Sequence, residues 1–145
     1  MSAQIIGLES LYAKLGKIAS DEAIMRGIQK ACVRVEVDAK VNCPVDDGVL
    51  RASITHELKP SELKGVVGTG VEYAPYVEFG TGIYAVKGDG RNTPWKYQDA
   101  TGAWHTSVGQ RPQPFMLSAL ENNKNKVIKD IKDSVKQELR RLGEW

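Results

Sequence analysis

Histidine and cysteine are scarce in this chain, two of each, and the scarcity removes whole classes of chemistry. Cys32 and Cys43 form no CxxC pair, and with only His56 and His105 beside them a metal site lacks soft ligands. Both thiols are expected to be reduced, with Cys32 in the core. No apolar run approaches the roughly 18 residues that a bilayer span takes, and MSAQIIGLES lacks a basic region followed by a long apolar stretch. The expectation is a protein with no membrane association that stays in the cytoplasm where it is made. A net charge of +2 is too mild to define a nucleic-acid binder by itself. Neither a phosphate-cradling GxxxxGK followed by Ser or Thr nor a GxSxG elbow occurs. Asp46 and Asp47 sit in PVDDG, where adjacent aspartates close a turn more readily than they share a proton. His56 and His105 have no sequence partner for acid–base work. An enzyme is therefore the weaker reading, and no cofactor is expected.

What the sequence does hold is 145 residues of ordinary balance, 41% hydrophobic and 26% charged, enough for one core but not for two independent ones. A single domain is expected. It is organised around Gly68 to Gly82, GTGVEYAPYVEFGTG, where four glycines, one proline and three aromatics in fifteen residues prescribe a corner, not a plain strand. Pro75 suits the first position of a single helical turn that Gly80 would close. That turn would send Tyr76 and Phe79 to different sides and seat Glu78 beside aromatic rings. Such a corner either joins two elements or presents a shaped contact surface.

Before the corner, Leu8, Leu11, Tyr12, Leu15 and Ile18 recur at helical spacing, which predicts a short helix over 7–17. Ser20 offers a cap for a second helix, with Asp21 and Glu22 in its first turn. Val33, Val35, Val37, Ala39 and Val41 alternate as a strand would, yet no breaker stands between Ser20 and Pro44 except Gly27, so the helix is expected to continue to about Val41. PVDDG stops it. From Leu50 to Lys59 the side chains alternate, with Leu50, Ala52, Ile54, His56 and Leu58 on one face, predicting a half-buried strand. Leu63 to Gly68 would return beside it, and Val71 to Tyr73 would add a third segment.

Residues 83–111 are rich in Gly, Thr, Asp and Asn and carry two of the three tryptophans. WKYQDATGAWH sets Trp95 and Tyr97 on one side of a glycine-containing link and Trp104 on the other, which predicts a projecting β-hairpin. Its aromatics either pack back on the domain or await a partner. Pro112 and Pro114 then bring the chain into a last helix over about 114–142, whose expected inner stripe is Leu117, Leu120, Val127, Ile128, Ile131, Val135, Leu139 and Leu142. Seven basic and four acidic residues between Phe115 and Leu142 give 7 − 4 = +3. A solvated face explains that excess, and so does contact with nucleic acid or an acidic surface.

Three segments together resemble a family of small proteins from tailed bacteriophages, the head-tail connector, neck or tail-completion proteins: PVDDGVLRASI (44–54), YAPYVEFGT (73–81) and PQPFM (112–116). The first is similar to the family's helix-breaking turn, the second to its aromatic corner and the third to the entry of its final helix. The loop pattern W-x-Y-x-D-x-x-G-x-W-H is similar to that of members with a long insertion. What the resemblance implies is an α+β subunit, helices on a small antiparallel sheet, that forms part of a ring between capsid and tail. It implies a virion protein, assembled in the host cytoplasm, whose partners are copies of itself and adjacent neck, connector or tail-tube proteins. The expected assembly interface is Tyr73, Tyr76, Glu78, Phe79, Trp95, Tyr97 and Trp104. The alternative is a nucleic-acid contact in which Lys124, Lys129, Lys132, Lys136 and Arg140 of the last helix face passing DNA.

Overall fold

A computed structural model describes residues 1–5, 20–46 and 48–143 of the chain. The helix expected over 7–17 lies outside these residues, as does Asp47. The elements in chain order are β1 (Ser2–Ile5), α1 (Asp21–Asn42), α2 (Val49–Ser53), β2 (Thr55–Lys59), β3 (Lys64–Gly68), α3 (Ala74–Phe79), β4 (Trp95–Gln98), β5 (Trp104–Ser107) and α4 (Phe115–Arg141). This is an α+β architecture. β3 is the middle strand of an antiparallel three-stranded sheet, with β1 on one side and β2 on the other. The third strand is therefore β1, and not Val71 to Tyr73, which instead turn into α3.

α1 is a single helix through the alternating valines. Ser20 Oγ accepts from the Ala23 N–H at 3.2 Å, satisfying one of the donors that a helix start leaves open. Val35 and Ala39 turn inward with Ile24, Ile28 and Cys32, while Val33, Val37 and Val41 are left on the outer side. A helix accounts for this split and a strand does not, because positions four apart share a helical face. The inner face rests on β3, where Gly65 lies against Ile28 and Cys32.

The expected strand from Leu50 is corrected in its first half. Val49–Ser53 is one short helix, and only Thr55–Lys59 is extended. Leu50 and Ile54 are both buried, four residues apart, and Ala52 is exposed. A strand would have buried all three on one face.

α4 lies antiparallel along α1, held by a ladder of polar pairs. Arg26 Nη2 and Ser20 Oγ both donate to Glu138, at 2.7 and 3.0 Å. Arg34 grips Asp130 with two donors at 2.8 and 2.9 Å, and Asn123 donates to Asp38 at 2.8 Å. Between the rungs the backbones come close: a Cβ added at Gly27 would stand 2.6 Å from Ile131 Cα. Only glycine fits that crossing.

The ladder also explains why the expected stripe of α4 is rotated. Asn123, Asp130 and Glu138 take inward positions beside Met116, Ala119, Val127, Ile131, Val135 and Leu139, because their partners on α1 satisfy them there. Leu117 and Leu142 are consequently pushed out, at 48% and 54% exposure. One hydrophobic cluster runs through α1, α2, β3, α3 and α4, with Phe115 its largest fully buried side chain. A further tie joins α1 to β2: Glu36 accepts from Lys40 at 2.6 Å and contacts His56 Nδ1.

Candidate functional site

The corner forms as its residues dictate. Pro75 occupies the first turn of α3, and Gly80, at φ 76°, ends it. Ala74 is buried, whereas Tyr73 and Tyr76 face solvent and Phe79 is half-buried. Glu78 is not on that surface: it is 3% exposed and points into the body. Its carboxylate accepts from the backbone N–H groups of Met116 and Leu117 at 3.0 and 2.8 Å. Pro114, at the start of α4, supplies no side-chain cap, so a carboxylate from another element meets the open donors and the positive end of the helix dipole. Glu78 thus leaves the expected contact set and holds the corner against α4. The Gln113 N–H adds a second tie to Val77 O at 2.8 Å.

The arm begins with a short crossing of two chains. Thr81 N donates to Gln110 O at 2.9 Å, and Ile83 N donates to Val108 O at 3.0 Å. Between them a Cβ on Gly82 would meet Val108 O at 2.1 Å, so any other residue would part the chains. Farther out, β4 and β5 pair antiparallel in a separate two-stranded hairpin, with Trp95 opposite Ser107 and Gln98 opposite Trp104. Every residue of the two strands is exposed except Trp95 and Ser107, which are half-buried. Trp104 is 68% exposed. The expected projecting hairpin is present, with Tyr97 and Trp104 outside and Trp95 half-buried.

Asp99 fixes the hairpin tip. Its carboxylate accepts from Thr101 Oγ1 at 2.6 Å, from the N–H groups of Thr101 and Ala103 at 2.8 and 3.0 Å, and from His105 Nε2 at 2.7 Å. The Thr101 hydroxyl first, then His105 and the Ala103 N–H, hold it far below the usual carboxylate range. Tyr97 stacks on His105 with ring centroids 5.4 Å apart. Both histidines therefore have carboxylate partners, Glu36 for His56 and Asp99 for His105, which their separation in sequence concealed.

Where the arm meets the corner, Pro75, Tyr76, Phe79, Ala85, Lys87 and Trp95 surround an open cleft of about 420 Å³. Cations lie on its rings: Lys87 Nζ is 4.5 Å from the Phe79 centroid, and the Arg91 guanidinium is 5.6 Å from that of Trp95. Arg111 covers Tyr84 in the same way, at 4.9 Å.

On α4, Lys124, Lys129, Lys132, Lys136 and Arg140 are all exposed. Lys129, Lys132 and Lys136 border one shallow groove with Asn125, Ile128 and Asp133, and Lys129 pairs with Asp133 at 2.9 Å. Among the described residues no group of three or more His, Cys, Asp or Glu is placed to hold a metal ion. Burial, with Glu36 a lesser cause, raises the Cys32 thiol to about 11, and burial also raises that of Cys43. Neither thiol is a ready nucleophile. No helix among the described residues is long and apolar enough to cross a membrane.

Body, corner and hairpin together define a small α+β protein that presents aromatic side chains on an arm. Residues 9–80 match the HK97-gp10-like family model, described as "Bacteriophage HK97-gp10, putative tail-component". This stretch, which takes in α1, the β2–β3 hairpin and the corner, is similar to a bacteriophage tail-component family. The arm and α4 lie beyond the matched residues. Comparison with curated proteins and with solved structures gave no match.

Proposed function

We propose that this chain is a structural virion protein of the head-tail junction, acting in tail completion or head-tail joining, and that its copies form a ring. It works by contact and not by catalysis. The observation that carries this reading is the hairpin whose residues are nearly all in solvent, with Trp104 and Tyr97 unburied by the chain's own body. Aromatic side chains are the groups that dominate protein–protein binding once desolvated. A ring needs two different patches that meet head to tail, and the arm with Tyr73, Tyr76 and Phe79 of the corner supplies one. Tail and neck proteins of the same particle are the neighbours it would meet. Virion localisation follows from the same role.

Deleting Lys87 to Ser107 tests the proposal, since the crossing of 81–83 with 108–110 lies outside the deletion. The shortened chain is expected to fold, by circular dichroism and a cooperative melt, and to form neither rings in electron micrographs nor infectious particles. Normal assembly and infectivity would discard the reading.

A second reading has one observation of its own, the groove bordered by Lys129, Lys132 and Lys136. Those side chains would face the passing genome and bind it weakly, without sequence preference, and less at higher salt. A salt-independent interaction, or none, with random duplex DNA would remove it.

A further inference from the structure

The cleft between corner and arm has the chemistry of a receptor for a short acidic and aromatic segment. Its walls are the rings of Tyr76, Phe79 and Trp95, and its cations, Lys87 and Arg91, lie over two of those rings with their charged heads in solvent. Asp89 also lines it, so the local balance is two positive charges against one negative. A fitting occupant brings a flat apolar group for the rings and a carboxylate for the cations.

The chain carries that combination past the far end of α4. Leu142 is exposed, Gly143 turns out of the helix at φ 77°, and the next two residues are Glu144 and Trp145. The end of α4 stands far from the cleft of its own subunit. Glu78 and Val77 hold the start of α4 beside the corner, and a helix of 27 residues carries its last turn about 40 Å away. Four extended residues span at most about 14 Å.

We propose that Leu142 to Trp145 of one copy seats in the corner–arm cleft of a second copy, with the Trp145 indole on the rings and the Glu144 carboxylate on Lys87 and Arg91. The contact is heterologous by construction, one end of α4 meeting the cleft at the other end of the next molecule, and repetition gives a ring or a filament. This rests on the reading of the chain as a self-assembling tail protein and names the second patch which that reading requires.

Two experiments test it. In the first, the full chain is titrated with a fluorescently labelled peptide of residues 138–145 and anisotropy is followed. Saturable binding is expected, weakened at least tenfold by Lys87→Glu with Arg91→Glu in the protein, and by Trp145→Ala or Glu144→Gln in the peptide. Absent binding, or binding indifferent to these changes, overturns the proposal. In the second, a chain ending at Gly143 is compared with the full chain by electron microscopy. Loss of rings with an unchanged thermal melt is expected. Rings from the shortened chain would overturn the seating of this segment while leaving the assembly role intact. If particles then fail only when Lys87 and Arg91 are reversed, the cleft belongs to a different tail protein.

Discussion

The body and the arm treat their side chains in opposite ways. In the body, polar groups that face inward find partners on another element: Glu138 on Arg26 and Ser20, Asp130 on Arg34, Asn123 on Asp38, and Glu78 on the start of α4. In the arm the backbone is satisfied by the hairpin and the tip by Asp99, while Trp104 and Tyr97 are left to solvent. On the proposed reading, stability and recognition are thus carried by different residues. Mutations in the first set should unfold the chain, and mutations in the second should leave a folded chain that does not assemble.

The sharpest way to break that division is at Phe115, which is fully buried. Phe115→Ala should cost about 3–5 kcal/mol in a reversible denaturant melt. A loss below about 1 kcal/mol would mean that the body does not depend on its central aromatic.

Acid should act on the body next. The Ser20 hydroxyl and then Arg26 lower the pKa of Glu138, so the folded state binds its proton less readily than the unfolded state does. Its stabilisation is therefore complete above the unfolded value of about 4.3, and it is lost as pH falls below that through the depressed folded value. Urea midpoints of the wild type should drop across this window, and Glu138→Gln, already weaker at neutral pH, should drop less. An identical acid slope in both proteins would show that the rung does not contribute.

The smallest effect on folding belongs to the arm. Trp104→Ser should change stability by no more than about 0.5 kcal/mol, as surface substitutions do, yet reduce ring formation in sedimentation velocity runs. A large loss of stability would place Trp104 in the body's account and erase the comparison.

Much of the fold was legible in the sequence where local chemistry and periodicity agreed. Ser20 started α1, Pro75 and Gly80 bounded α3, and the W-x-Y…W-H spacing gave the hairpin. The departures came from partners distant along the chain. Leu50 to Ile54 reads equally well as alternation or as one helical turn, and it was the packing of both Leu50 and Ile54 that chose the turn. The stripe of α4 was rotated because Asn123, Asp130 and Glu138 look like surface residues until Asp38, Arg34 and Arg26 stand opposite. Glu78, read as part of a contact surface, is separated by 38 and 39 residues from the two N–H groups it accepts, and no local pattern announces such a bond. Likewise β1 was missed, since its four residues pair with a strand far along the chain. Of the expected contact set, the structure leaves the six aromatics exposed or half-buried, an outcome that the sequence left open; the cleft and its overlying cations needed the folded chain.

The two sheltered thiols have a practical consequence. Burial raises the Cys32 thiol to about 11, so little of it is the reactive thiolate at neutral pH, and both sulfurs lie inside the body. Native protein is accordingly expected to react slowly with maleimides, so one cysteine introduced at Ala100 on the hairpin tip should take up a dye first and report the arm's surroundings.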